Sequence, residues 1–229
     1  MLKIYGGPLA VHTRKVIVAA MAKNLSHEVI PVVPVIPGNP PPNWRQISPT
    51  GRIPALIDGN FVLFDSAAIC AYLDRLQPDP AIYPKDARVY AQVLSLEQYA
   101  GTLFSSVVHP LFNEVFVHPK IRQIPTDQVR VDEVLSTAVP EIFGYLESVA
   151  PQEFLAGSML TVADIAVASN LINYQYIGFE LSRTKFPRLG AWCDRSLRHP
   201  AMMQALRKEQ SFVDSMGLSR GFLEAVLID

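Results

Sequence analysis

The stretch Ser48–Leu73 constrains the fold of this chain more than any other part of it. It predicts a turn, a strand entered through Ile53-Pro54, a tight turn at Asp58-Gly59, a second strand, and a helix that opens at Asp65-Ser66. A proline at the start of a strand cannot donate a ladder hydrogen bond, so the backbone before it is available to something other than the sheet. A helix that opens with Asp-Ser presents free N–H groups and a hydroxyl, which suit a carboxylate. One segment therefore offers an exposed strand edge and an anion site, about as far apart as a short peptide extends.

The composition indicates a globular protein with a substantial core. The chain has 229 residues, of which 49% are hydrophobic and 18% charged, and its formal net charge is -1. This balance argues against nucleic-acid binding by bulk electrostatics. No uncharged apolar run reaches the roughly 18 residues of a membrane span, and the N-terminus reads as a strand and turn, not as a signal peptide. Cys70 and Cys193 lack metal or redox spacing, which favours buried thiols in a reducing cytosol and no metal site.

The first third of the chain alternates between strand and helix signals. Pro31 favours an edge position for the second strand. The resulting order, β-α-β followed by β-β-α, is the thioredoxin-like arrangement with a mixed sheet and helices on both faces. The predicted elements are the strand Leu2–Tyr5, the helix Arg14–Lys23, the strand Glu28–Val33, an irregular proline-rich loop over 34–44, the hairpin strands Ala55–Ile57 and Val62–Phe64, and the helix Ser66–Leu76.

A proline-rich linker, Gln77–Asp86, separates this part from one in which every signal is helical. Thr161 and Asp164 form a capping box and are interpreted as structural, with a loss of roughly 1 kcal/mol per cap removed. The predicted helical stretches are Arg88–Val108, then, after a loop around His118-Pro119, Thr126–Val149, and finally Val162–Ile172, Phe186–Leu197 and Pro200–Lys208.

Four motifs together resemble the glutathione S-transferase family, over nearly the whole chain: SPTGRIPAL, FDSAAICAYL, LTVADIAVAS and FPRLGAWCDRSLRHPAM. The resemblance implies a thioredoxin-like N-terminal domain (1–77), a linker (78–86) and an all-α C-terminal domain (87–229), in a cytoplasmic homodimer. It also implies glutathione as co-substrate, without a metal. The expected activity is detoxification, by conjugation or reduction of a hydrophobic electrophile or a peroxide.

The resemblance implies a glutathione site built on the opening stretch. The peptide bond Ile53-Pro54 would be cis, with the Ile53 backbone pairing with the cysteinyl part of glutathione like an added strand. The γ-glutamyl carboxylate would lie on the Ser66 hydroxyl and amide, and its ammonium against Asp65. Arg52 would bind the glycyl carboxylate. The loop Pro37–Pro42 replaces a segment where relatives often place a contact to that end.

Ala10 is the largest departure from the family pattern. Serine-type relatives carry a hydroxyl six positions before the hydrophobic residue of the Arg-x-Val signature, and here that position is Ala10. Alanine cannot donate a hydrogen bond to the glutathione sulfur. The backbone amides at the start of the first helix could stabilise the thiolate instead. The candidate side chains, in order of preference, are His12, Thr13, His109 and Tyr5, where Thr13 could also be an N-cap and Tyr5 a packing residue.

The second-substrate pocket is expected between the domains and is expected to be apolar. Its candidate residues, most of which could individually be core, are Leu9, Val11, Phe104, Val108, His109, Phe112 and Phe116. Two alternatives to an enzyme remain open. Because of Ala10, the chain could bind glutathione or a hydrophobic ligand with weak or no transferase activity; it could also be an interaction module of the same fold.

Overall fold

The computed structural model of this chain describes residues 1–36 and 38–227; Pro37, Ile228 and Asp229, which belong to the predicted proline loop and C-terminal domain, lie outside the described residues. A four-stranded mixed sheet forms the N-terminal part, in the order β2-β1-β3-β4. Strand β1 pairs in parallel with β2 and antiparallel with β3, which in turn forms an antiparallel hairpin with β4. The strands are β1 (Leu2–Tyr5), β2 (His27–Ile30), β3 (Ala55–Asp58) and β4 (Phe61–Phe64), and the helices of this part are α1 (Val11–Ala22), α2 (Trp44–Ile47) and α3 (Ser66–Leu76).

These elements confirm the predicted thioredoxin-like order and the edge position of β2, and α3 has its predicted bounds. The prediction for α1 was wrong at its start, because the helix begins at Val11, three residues before Arg14. Ala10 is the N-cap, with extended backbone and no capping side chain, so Thr13 lies inside the helix and is not its cap. An alanine gives no sequence signal for a helix start. Helix α2, at the end of the proline-rich loop, was not predicted.

From Ala87 to Arg122 the chain stays helical, which corrects the predicted end at Val108 and the loop around His118-Pro119. Helix α4 (Ala87–Leu103) and helix α5 (His109–Phe112) are joined by the π-helical turn Phe104–Val108. A second π-helical segment, Asn113–Arg122, follows α5 and contains Pro119. The ordinary i to i−4 hydrogen-bond ladder is already interrupted in such segments, so a proline without an N–H is tolerated there.

The remaining helices are α6 (Gln128–Ser136), α7 (Ala138–Val149), α8 (Val162–Tyr176), α9 (Pro187–Arg198), α10 (Pro200–Ser215) and α11 (Gly221–Leu227). The predicted stretch Thr126–Val149 is divided at Thr137, because Pro140 is compatible only with the first turn of a new helix. Helix α10 extends beyond the predicted Lys208, and α11 was not predicted. Among the described residues, no helix combines the length and apolar character needed to cross a membrane.

Helix α8 lies at the centre of the helical part, and every one of its residues is buried. Asp164 in its first turn accepts hydrogen bonds from the Thr161 amide at 2.9 Å and from the Thr161 hydroxyl at 2.7 Å. It also accepts from the Leu155 amide at 2.6 Å and from Trp192 Nε1 at 2.9 Å. Asp164 therefore joins the start of α8 to a loop and to α9, which makes it more than a helix cap. Burial raises the pKa of its carboxyl, and these hydrogen bonds oppose that rise.

Candidate functional site

The turn before β3 is fixed from behind by two side chains. Trp44 Nε1 donates to the Gly51 carbonyl at 3.1 Å, and Ser48 Oγ donates to the Arg52 carbonyl at 2.6 Å. The peptide bond Ile53-Pro54 is cis, as the family resemblance implied. Among the described residues, the N–H and C=O of Ile53 have no hydrogen-bond partner, and Ile53 is only partly buried. These two groups are therefore available to an extended peptide lying beside the sheet.

At the start of α3, Asp65 and Ser66 have different roles. Asp65 has a left-handed φ of 74° and caps the helix, since its Oδ1 accepts from the amides of Ala67 at 2.9 Å and Ala68 at 3.4 Å. Ser66 does not cap the helix. Its amide and hydroxyl have no partner in the described part of the chain, although the residue is only 7% exposed. The helix end thus keeps a free donor pair for an anion, as expected for a carboxylate site.

The start of α1 forms a second group of donors. Within the described residues, the amides of Val11, His12 and Thr13 donate to no group of the protein, because Ala10 has no side chain that could cap them. The Ala10 carbonyl accepts from the Arg14 amide at 2.9 Å. Unpartnered amides at a helix N-terminus carry a partial positive charge and favour an anion. The α1 and α3 ends both contribute to a cavity of about 140 Å³, which is lined by Val11, His12, Lys15, Asp65, Ser66, Ala67, Glu97, Gln98, Ala100, Gly101, Ala166 and Asn170.

His12 lines this cavity and contacts the helical domain. Its ring meets the Phe104 ring edge-on, with centroids 4.6 Å apart, and Phe104 in turn lies 5.3 Å from the His109 ring. The pKa of His12 is lowered to about 4, mainly by burial and also by the positive charges of Lys15 and Arg52, while Asp65 opposes this shift. His12 is therefore neutral at physiological pH, and the electrostatic potential around it disfavours a cation.

The other candidates for thiol contact lie in different surroundings. Thr13 has no exposed surface. Its side chain fills the space over Gly6, where a methyl group on Gly6 would overlap with it. The Thr13 hydroxyl therefore does not reach the cavity. The Tyr5 ring packs 6.2 Å from Trp44 in a second small core, which agrees with a packing role. His109 is exposed next to Phe104, within hydrogen-bond distance of the Asn113 amide, and partial burial lowers its pKa.

The expected second-substrate residues divide into two groups. Leu9, Val11 and Val108 belong to the hydrophobic core. Phe104 and Phe112 are only partly buried and His109 is exposed, and the Phe104 ring meets His12 of the N-terminal domain. Phe112 packs 5.0 Å from the buried Phe116. Of these candidates, Val11 also lines the cavity at the α1 and α3 ends, whereas the aromatic candidates are not part of that lining.

Sequence reasoning missed the charged pair beneath the cavity. Lys15 Nζ lies 2.9 Å from Glu97 Oε1, with the Glu97 side chain 1% exposed, and the Tyr83 hydroxyl donates to Glu97 Oε2 at 2.8 Å. Asn170 lines the same cavity, and its buried Oδ1 has no partner among the described residues. A signal existed in the sequence: the consecutive cations Arg14 and Lys15 precede the apolar run of α1, and they are buried only because acids on other helices pair with them.

Comparison with known proteins places this chain in one family. The family model for the glutathione S-transferase N-terminal domain matches residues 4–81, and the model for the C-terminal domain matches residues 108–200. Glutathione S-transferase D7 of Drosophila melanogaster is 31% identical over 195 residues, which is 83% of this chain and 82% of that protein. Glutathione S-transferase APIC of Nicotiana tabacum is 26% identical over 91% of this chain and 99% of its own length.

A solved glutathione S-transferase from Rhodospirillum rubrum F11 superimposes with a TM-score of 0.80 at 25% identity, over 90% of this chain and 92% of that structure. The fold is thus a thioredoxin-like domain followed by a helical domain, as the sequence predicted. This chain belongs to the glutathione S-transferase family, whose members are glutathione-dependent transferases.

Proposed function

We propose that this chain transfers glutathione to a hydrophobic electrophile, and that His12 and the free amides of α1 stabilise the thiolate. The observation that carries this proposal is that one cavity, of about 140 Å³, is lined by both the α1 and the α3 N-termini and has His12 on its wall. Donors at two points fit a tripeptide that carries a carboxylate at one position and a developing thiolate at another.

The tripeptide would lie along the exposed edge of the N-terminal domain. Its cysteinyl backbone would pair with the free N–H and C=O of Ile53, in the manner of an added strand. Its γ-glutamyl carboxylate would accept from the Ser66 amide and hydroxyl, and the ammonium would face the exposed carboxylate of Asp65. Arg52, whose side chain is exposed beside this edge, would bind the glycyl carboxylate.

His12 is better suited to donate a hydrogen bond than to accept a proton. Since its pKa is about 4, the imidazole is a weak base at neutral pH, and the thiol proton would leave to solvent. The neutral ring can donate an N–H to the thiolate sulfur. The positive potential from Lys15 and Arg52 that lowers the pKa of His12 has the sign that also lowers the pKa of a thiol. An anion is therefore favoured although Ala10 supplies no hydroxyl.

In the reaction, the thiolate sulfur forms a bond to an electrophilic carbon, and the leaving group departs with its bonding electron pair. The electrophile would pack on the aromatic side of the cleft, formed by Phe104, His109 and Phe112. These rings favour a flat, apolar substrate.

The test is the ultraviolet thiolate absorbance of bound glutathione as a function of pH, with calorimetry to measure the dissociation constant. We expect a thiol pKa well below that of free glutathione, which the His12→Gln variant partly restores. Binding with an unshifted thiol pKa, and conjugation of an aryl halide only by the Ala10→Ser variant, would instead identify a ligand-binding protein with little transferase activity. The absence of glutathione binding would contradict the proposal and leave the interaction module.

The same proposal includes a cytoplasmic homodimer. An apolar face remains exposed on the edge strand β4 and on the adjoining helices α3 and α4, where Phe61 is 45% and Tyr90 39% exposed. Edge strands with apolar side chains are rarely left open in a monomer. The family is typically dimeric, and this face would be the interface. Light scattering should give a dimer mass for the wild type and a monomer mass for Phe61→Lys; a wild-type monomer would contradict the assignment.

The domain boundary is proposed within residues 78–86. This segment has no helix or strand between α3 and α4. Lys23 holds it in place, because its Nζ donates to the Pro80 carbonyl at 2.6 Å and pairs with Asp74 Oδ1 at 2.6 Å.

A further inference from the structure

The segment just before α1 is anchored from the helical domain. The Leu9 carbonyl accepts a hydrogen bond from Asn173 Nδ2 at 2.8 Å, although the two residues are 164 positions apart. Asn173 lies on α8 and is almost fully buried. Leu9 precedes Ala10, the residue that opens the helix whose free amides and His12 face the cavity. This one hydrogen bond therefore connects the centre of the helical domain to the place where the thiol is expected.

A buried network fixes the orientation of the Asn173 amide. Its Oδ1 accepts from Arg14 Nη1 at 2.7 Å, so its Nδ2 must point towards Leu9. Arg14 has no exposed surface, and its Nε lies 3.0 and 3.1 Å from the two carboxylate oxygens of Glu209 on α10. The Tyr176 hydroxyl donates to Glu209 Oε1 at 2.7 Å, and the Tyr176 ring lies 5.5 Å from the Arg14 guanidinium carbon.

We infer that Asn173, oriented by Arg14 and Glu209, is a positioning residue for thiol activation, because it sets where the start of α1 stands relative to the glutathione sulfur. This inference rests on the proposed function. Attraction between a helix end and an anion falls off within the first turn, so a small displacement of that end weakens it. Ala10 has no side chain that could follow the sulfur and compensate for such a movement.

A purely structural role would not need this particular bond. The Arg14–Glu209 pair already joins α1 to α10, and Arg14 Nη1 also donates to the Ser169 carbonyl on α8 at 3.0 Å. Both contacts act inside α1 and hold the helix body. Of these three contacts, only the bond from Asn173 reaches the non-helical residue that leads into the free amides. Loss of the Asn173–Leu9 bond should therefore change the pKa of the bound glutathione thiol more than it changes the stability of the fold.

The Asn173→Asp variant removes this bond. An aspartate still accepts from Arg14 but cannot donate to Leu9, and it places a carboxylate oxygen against the Leu9 carbonyl. We expect the pKa of the bound glutathione thiol to rise by about one unit and the pH profile of kcat to move with it. At pH values below both thiol pKa values, kcat for an aryl halide should fall roughly tenfold, because the thiolate fraction there falls tenfold per pKa unit, whereas KM for glutathione should stay within about twofold, since Ile53 and Ser66 are untouched.

The matched control is Asp164→Asn, which perturbs an equally buried polar cluster that does not contact Leu9. It should lower the melting temperature and leave the thiol pKa unchanged. If Asn173→Asp does not fold, as judged by circular dichroism, Asn173→Ala replaces it and should shift the thiol pKa in the same direction. An unchanged thiol pKa in the Asn173 variants, or an equal shift in Asp164→Asn, would overturn the inference while the proposed function stands. A wild type that does not bind glutathione would overturn both.

Discussion

Acidification should destabilise this protein through His12 in a way that can be isolated. The folded-state pKa of His12 is about 4, against an ordinary value of 6.5, mainly because the ring is buried. Between these two values the unfolded chain binds a proton at this site that the folded chain does not bind. The free energy of unfolding is therefore undiminished above about pH 6.5 and falls as the pH drops from there towards 4.

The size of the effect follows from that interval. At about 1.4 kcal/mol per pKa unit, the difference between 6.5 and about 4 amounts to about 3 kcal/mol in full. Most of this difference arises between about pH 7 and about pH 4.5. Over that interval, His12 alone should therefore lower the free energy of unfolding by about 2 kcal/mol. A typical domain is stable by roughly 5–15 kcal/mol, so a loss of about 2 kcal/mol is a large fraction of its stability.

Urea denaturation of the wild type and of His12→Gln, at the two pH values, measures this contribution. Burial also lowers the pKa of His109 and His199, so the wild type should lose more than the His12 share. The difference between the two proteins isolates His12, and the wild type should lose about 2 kcal/mol more than the variant. Phe104→Leu is the control, because it removes the ring that covers His12 and keeps the titrating group. Equal pH dependence in wild type and His12→Gln would refute the reasoning.

Four further substitutions test the buried charges and the helix caps. Glu97→Gln leaves the buried Lys15 ammonium without its counter-charge and should cost about 3 kcal/mol or more in urea denaturation; replacing both residues by apolar ones should recover part of that loss. Ser66→Ala should weaken glutathione binding roughly tenfold or more by calorimetry with little change in melting temperature, whereas Asp65→Ala should lower the melting temperature, because Asp65 caps α3. Asp164→Asn should cost about 2 kcal/mol or more, and a loss no greater than that of an ordinary cap would contradict its role in joining α8 to α9.

The sequence predicted the elements whose signals are local. Helix α3 was bounded correctly because Asp65-Ser66 opens it and a proline-rich segment follows it. The β3–β4 hairpin followed from Asp58-Gly59 between two apolar runs. The start of α1 was missed because an alanine occupies the cap position, and this same alanine is the departure from the family pattern. Where a site loses its usual side chain, it can also lose the local signal that marks its helix.

The parts of the site that the sequence did not predict depend on contacts between distant segments. The expectation of one helix ending at Val108 did not foresee the π-helical turn Phe104–Val108, which begins at the residue whose ring meets His12. The burial of Glu209 was hidden in a polar run of α10, since its pairing with Arg14 and Tyr176 places it inside. Periodicity describes a helix alone and says nothing of the acids that other helices bring to it.

In the proposed mechanism, no hydroxyl at Ala10 activates the thiol. The site must then stabilise the thiolate by the positions of its N–H donors and by its electrostatic potential. A hydroxyl donor contributes through one charge-assisted hydrogen bond, worth about 1.5–3 kcal/mol. The free amides of α1, the His12 N–H and the potential from Lys15 and Arg52 can together reach that range only if they stay fixed relative to the sulfur. A hydroxyl on a rotatable side chain tolerates small movements of the backbone, whereas a helix end does not. In the proposed mechanism, the anchoring of Leu9 by the buried Asn173 compensates for the missing hydroxyl at Ala10, because a rigidly held helix end replaces a flexible donor.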